Sequence, residues 1–146
     1  MSISLDRILY VEDEPDIRAV AQMALEAVGG FTVIVCESGP AALAAAPGAA
    51  ADLILLDVMM PGMDGPGTLR ALRQLPATAN TPVIFMTAKV QAAEVAQYRA
   101  LGALDVIPKP FDPMELSAQI REIFDRPRQE PAVAQAPPSP PGSSTG

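Results

Sequence analysis

Five side chains spread along the chain are of the types that cation and phosphate chemistry uses: Glu12, Asp13, Asp57, Thr87 and Lys109. Each lies at the end of a short apolar run. Residues 8–11 lead into Glu12 and Asp13, 53–56 into Asp57, 82–86 into Thr87, and 104–107 toward Lys109, which stands between Pro108 and Pro110. Runs of this kind suit strands buried on both faces. The run ending at Asp57 is followed by Pro61-Gly62 and Asp64-Gly65, both breakers. Open α/β sheets hold their ligands at the carboxyl ends of their strands. If these strands share one sheet, residues far apart in sequence meet along that edge. Carboxylates brought to contact repel by about 1–4 kcal/mol per pair, and a hard divalent cation relieves this; Mg²⁺ takes one or two carboxylates and keeps several waters. A phosphoryl group arriving there would find a cation, an ammonium and a hydroxyl, the groups phosphoryl transfer requires. The carboxylate can itself be the nucleophile and become an aspartyl-phosphate. Each residue also has a plainer role open to it. Asp57 could be a solvated strand end or a helix cap, Glu12 and Asp13 helix-start acids, Thr87 a cap, and Lys109 an exposed loop lysine.

The elements that would position these groups alternate. Pro15 and the acids around it suit a first helical turn. Ile17, Val20, Ala21, Ala24, Leu25 and Val28 then recur at helical spacing until Gly29-Gly30. Residues 31–36 read as a second strand, and Ser38 as the cap of a helix over 41–46 closed by Pro47-Gly48. Residues 68–75 are expected to be helical, with Leu69, Leu72 and Leu75 facing inward. Residues 91–101 form a weakly amphipathic helix stopped by Gly102. Asp112-Pro113-Met114-Glu115 is a helix start, a capping Asp with Pro first and Glu third, and Leu116, Ile120, Ile123 and Phe124 line one face. Five βα units in succession imply a parallel sheet covered on both sides.

At 146 residues the chain suits one domain. From 126 to 146 the composition turns to Pro, Gly, Ser and Gln, with six of the sixteen prolines after residue 126. That stretch is expected to be a disordered tail following a domain over 1–125. A net charge of −7 argues against a sequence-independent hold on nucleic acid. The absence of His removes imidazole catalysis and the commonest transition-metal ligand. A single cysteine, Cys36, excludes an internal disulfide framework and reads as a small buried hydrophobe. No apolar run reaches spanning length and no signal peptide is present, so a soluble cytoplasmic chain without membrane contact is the expectation.

Four motifs, in order and at strand ends, carry a close resemblance to the receiver domain of bacterial two-component response regulators. They are Tyr10-Val11-Glu12-Asp13-Glu14, the stretch 55–65 (LLDVMMPGMDG), Met86-Thr87-Ala88-Lys89, and Lys109-Pro110-Phe111. The resemblance covers about residues 5–125. It implies a flavodoxin-like doubly wound five-stranded parallel sheet in the order 2-1-3-4-5. It also implies a single-domain protein like chemotaxis-type and phosphorelay receivers. Asp57 resembles the phosphoacceptor, served by a histidine kinase or histidine phosphotransfer protein. Glu12, Asp13, Asp57 and the Met59 backbone carbonyl resemble the Mg²⁺ ligands, Lys109 the phosphoryl-contacting lysine and Thr87 the switch hydroxyl. By the same resemblance the Lys109–Pro110 bond is cis. The chain is then no enzyme beyond its own phosphoryl transfer and dephosphorylation. It is a monomer or weak dimer that contacts a downstream protein target and no nucleic acid directly. Val95, Tyr98 and Arg99 match a partner-facing surface of the fourth helix, although an ordinary amphipathic helix explains them too. One departure stands out: Val106 replaces the usual switch aromatic three residues before the lysine.

Two other classes compete. A phosphohydrolase similar to the haloacid dehalogenases would use Asp57 with Mg²⁺, but it needs a second Asp where Met59 stands. A flavodoxin-like nucleotide binder would want a Ser/Thr/Gly-rich loop after the first strand. Four acids between Glu12 and Asp16 would repel that ligand.

Overall fold

Residues 4–126 are described in the computed structural model of the chain. The disordered tail expected to follow the domain lies, beyond Arg126, outside the described residues. Five strands, β1 (Arg7–Val11), β2 (Thr32–Cys36), β3 (Leu53–Asp57), β4 (Val83–Thr87) and β5 (Asp105–Pro108), pair in parallel in the order β2-β1-β3-β4-β5. Every residue of β3 and β4 is buried, as expected for central strands covered on both faces.

The pleat divides the core in two. One face carries Ile8, Tyr10, Leu53, Leu55, Ile84 and Met86 against helices α1 (Pro15–Met23) and, later in the chain, α5 (Leu116–Asp125). The other carries Leu9, Val11, Ile54, Leu56, Val83 and Phe85 against α2 (Gly39–Ala49) and α3 (Gly65–Leu72). Helix α4 (Ala92–Ala100) covers the β4–β5 side and buries no residue fully. Helix α1 continues into a π-helical turn, Ala24–Val28, before Gly30 takes up a positive φ of 72°.

Several helix boundaries differ from the sequence reading: the third helix stops at Leu72 rather than 75, and the last starts at Leu116 with Glu115 at its N-cap, so Asp112 is not the cap of α5. Pro47-Gly48 does not close the second helix, which runs on to Ala49 and ends at Ala50 in the left-handed region. Burial of Ala46 and Ala49 against the sheet outweighs the proline's missing donor one turn from the end. The third helix begins at Gly65 rather than 68, because the Asp64 carboxylate accepts the Gly67 amide at 2.8 Å and Pro66 stands in the first turn. Ser38 caps α2 as expected, accepting from the Ala41 amide. Asp112 accepts the Met114, Glu115 and Leu116 amides, ordering the turn from which α5 starts.

Candidate functional site

The parallel order sets the carboxyl ends of β1, β3, β4 and β5 side by side, and the predicted residues converge there. One carboxylate oxygen from each of Glu12, Asp13 and Asp57 lies within 4.8 Å of the other two. The Lys109 ammonium donates to Asp57 Oδ1 at 3.0 Å and to Glu12 Oε1 at 3.1 Å. Glu12 and Asp57 are buried, and Asp13 is half-buried. Burial excludes the plainer reading of Asp57 as a solvated strand end, while Glu12 also accepts the Glu14 amide at the start of α1, at 3.1 Å. The Lys109–Pro110 bond is cis. Thr87 is buried at the tip of β4, one residue beyond Met86, the β-partner of Asp57. Its Oγ1 accepts the Lys89 amide at 3.1 Å in the turn after β4; the cap of the next helix is Gln91, so the helix-capping role that the sequence left open for Thr87 is not realised. The Met59 side chain points to solvent.

Burial and crowding shape the charges. Burial, with the neighbouring Asp57 charge, pushes the Glu12 carboxyl up to about 7, against the pull of the Glu14 amide and Lys109. Burial likewise raises Asp57, opposed by its Lys109 contact. Burial alone would lower the Lys109 ammonium, but the two carboxylates outweigh it and raise it. Asp57 Oδ2 is buried and has no hydrogen-bond partner. An acceptor left in that condition costs about 1–3 kcal/mol, so a cation or an electrophile is favoured beside it. Three convergent oxygen donors with no soft ligand among them fit a hard cation such as Mg²⁺.

Several contributors escaped the sequence reading. The Arg18 guanidinium donates to the Glu12 carbonyl at 2.9 Å and the Asp13 carbonyl at 3.3 Å, holding the acidic loop from one turn into α1. A cation soon after an acidic strand end was its only signal. Gly65 lets α3 start against β3: a Cβ there would lie 2.5 Å from the Asp57 carbonyl and 2.8 Å from Val58 Cα. The Tyr10 hydroxyl is buried without a partner, and burial, then Glu12 and Asp57, raise its pKa well above the usual phenol range. Val106 is half-buried opposite Phe85, and it is Tyr98 of α4 that covers the Phe85 ring, at 5.3 Å between centroids. Of the three residues matched to a partner-facing surface, Tyr98 thus turns inward, and Arg99 pairs with Asp105 at 2.8 Å. Cys36 is buried, as its apolar setting suggested, and burial raises its thiol pKa.

An open α/β sheet in the order β2-β1-β3-β4-β5, with three acids and a lysine gathered at one edge, defines the class: a flavodoxin-like domain with an acidic cation pocket. The profile of the response regulator receiver domain matches residues 8–121. The transcriptional regulatory protein CpxR of Escherichia coli is 43% identical over 122 residues, 84% of this chain and 50% of CpxR. The DNA-binding response regulator MtrA of Mycolicibacterium smegmatis is 37% identical over 132 residues, 90% of this chain and 56% of MtrA. This chain thus spans about half the length of the curated relatives it matches. Among solved structures, the chemotaxis response regulator CheY4 of Vibrio cholerae superposes with a TM-score of 0.75 at 29% identity, covering 82% of this chain and 99% of CheY4. A response regulator from Desulfuromonas acetoxidans gives 0.72 at 32% identity, covering 82% and 96%.

The chain belongs to the receiver domain family of two-component response regulators, whose members are phosphoacceptors in signalling. The haloacid-dehalogenase-like alternative finds no support in these matches. Among the described residues, no helix is long and apolar enough to cross a membrane.

Proposed function

We propose that this receiver takes a phosphoryl group on Asp57 from a phosphohistidine of a kinase or phosphotransfer protein, and signals through protein contacts. The observation that carries the reading is the split environment of the Asp57 carboxylate. Oδ1 is held by Lys109, while Oδ2 is buried with no partner, a nucleophile fixed in place but not consumed by a hydrogen bond. That oxygen attacks phosphorus, the P–N bond of the donor breaks, and the departing imidazole takes up a proton. Lys109 stands beside the oxygens that gain charge, and the Thr87 hydroxyl, at the neighbouring strand tip, donates to them. Glu12, Asp13, Asp57 and the Met59 carbonyl would hold Mg²⁺, which would supply charge neutralisation at the transferring group. Arg18, by fixing the Glu12 and Asp13 carbonyls, holds the acidic loop in place.

The chemistry is confined to the domain's own transfer and to hydrolysis of its own acyl phosphate. The domain is residues 1–125, working in the cytoplasm as a monomer or weak dimer. Two of the relatives are named as transcriptional or DNA-binding regulators. With its net negative charge, this chain works through a protein target rather than by touching nucleic acid. Incubation with acetyl phosphate and Mg²⁺, followed by intact-mass measurement, tests the assignment. The wild type gains one phosphoryl group and Asp57→Asn gains none. Equal labelling of the variant overturns the role given to Asp57.

A further inference from the structure

Tyr10 is fully buried in β1, yet its hydroxyl has no hydrogen-bond partner. A buried polar group in that condition is costly, and a phenylalanine would fill the same space without the cost. The register shows what the hydroxyl faces. Tyr10 pairs with Leu55 of β3, and side chains two apart along a strand share a face. Glu12 stands two residues beyond Tyr10, and Asp57 two beyond Leu55, so all three belong to the face that α1 and α5 cover. Two residues of a strand span roughly 6.6 Å, a distance that a phenol side chain bridges. The charges that act on the Tyr10 hydroxyl are those of Glu12, Asp57 and Arg18, and burial with the two acids keeps it protonated, a donor. The Glu12 carboxylate is already engaged at both oxygens. Oε2 accepts the Glu14 amide, and Oε1 accepts the Lys109 ammonium, which is shared with Asp57 Oδ1.

We propose that Tyr10 is a positioning residue of the acid pocket, its hydroxyl being the donor that the Glu12 carboxylate takes up when the pocket holds a divalent cation. This rests on the reading of Glu12, Asp13 and Asp57 as cation ligands. In the metal-free pocket the Lys109 ammonium supplies the positive charge, and Glu12 Oε1 has its donor there. An ammonium and a metal ion crowded on the same carboxylates repel, so Lys109 loosens its hold on Glu12 Oε1 in the loaded pocket. The Tyr10 hydroxyl, neutral and on the same face one ring length away, gives that oxygen a donor without adding charge. It also fixes the Glu12 carboxylate from beneath, on the side away from solvent. A ligand draws affinity only from contacts that differ between the free and bound states. A hydroxyl without a partner in the metal-free protein, and with one in the loaded protein, is such a contact.

Full-length protein and Mg²⁺ alone suffice for the test. Calorimetric titration gives the Mg²⁺ affinity of wild type and Tyr10→Phe, and urea melts in chelator give the stability of the metal-free proteins. Tyr10→Phe should bind Mg²⁺ at least about fivefold more weakly, as expected for the loss of a hydrogen bond to a charged group. Its metal-free midpoint should equal or exceed that of wild type. A hydroxyl with a purely structural role gives the reverse, a lower metal-free midpoint with unchanged affinity. The chain has two tyrosines, Tyr10 and Tyr98, and no tryptophan, so in Tyr98→Phe the tyrosine absorption band belongs to Tyr10. Saturating Mg²⁺ should move that band to longer wavelength, the direction in which a phenol's absorption shifts when it donates to a carboxylate. Unchanged Mg²⁺ affinity in Tyr10→Phe, a lower metal-free midpoint, or a band that stays in place overturns the proposal. If wild-type protein binds no Mg²⁺, the titration shows it, and the reading of the three acids as ligands falls together with this role for Tyr10.

Discussion

Replacing Glu12 by Gln in metal-free protein exposes the cost of the acid pocket as a dependence of stability on pH. In the folded chain the Glu12 carboxyl is raised from 4.5 to about 7, by burial first and the Asp57 charge second. The unfolded chain releases that proton near its ordinary value. Between the two the folded state binds more protons than the unfolded state, so stability falls as pH rises through this window. The contribution is fully present below about 4.5 and fully lost above about 7. At about 1.4 kcal/mol per pH unit of separation, the loss is about 3 kcal/mol. Glu12 is fully buried, so solvent screening takes little from it. For a domain of this size, with a urea slope near 1.5 kcal/mol/M, the loss moves the unfolding midpoint by about 2 M. Urea melts of both proteins at pH 5 and pH 8, in chelator and at fixed ionic strength, give the comparison. The stability advantage of Glu12→Gln over wild type should widen by about 3 kcal/mol from pH 5 to pH 8. An advantage that stays constant to within about 1 kcal/mol refutes the account of Glu12 as a strained buried acid.

Asp13→Asn removes one of the three converging carboxylates, so apo stability should stay level or rise while Mg²⁺ affinity drops at least tenfold; calorimetric titration of the ion beside a thermal melt measures both, and unchanged affinity would exclude Asp13 from the ligand set. Gly65→Ala forces a Cβ toward the Asp57 carbonyl and Val58 Cα. It should cost about 1–3 kcal/mol in urea unfolding and slow phosphorylation by acetyl phosphate, because the displaced backbone carries the acceptor; full stability and rate in the variant would show that the close approach is not needed.

Much of this was legible because the decisive residues sit where backbone patterns change. The runs before Glu12, Asp57 and Thr87 are strands for the same reason that their ends form a site: apolar side chains cover both faces up to the edge, and polar ones begin beyond it. Helix boundaries were less legible. Asp64 caps α3 through a side-chain acceptor, but Gly65 and Gly67 look like loop residues in a one-dimensional reading, so the start was placed three residues late. Pro47 reads as a stop, yet buried Ala46 and Ala49 carry the helix past it. The resemblance matches Tyr98 to a partner-facing surface, with an ordinary amphipathic helix left open, and only the pairing of Phe85 with the small Val106 reveals why it turns inward. Arg18 acts through backbone carbonyls, and a cation soon after an acidic strand end is a faint signal for that.

The ammonium of Lys109 bridges to partners 97 and 52 positions earlier in the chain. During synthesis, β1 and β3 leave the ribosome long before their counter-charge does. A nascent chain lacking its last strand would bury two carboxylates with nothing opposite them, a far costlier arrangement than the finished one. Both acids therefore gain their counter-charge only once the chain has been made through residue 109.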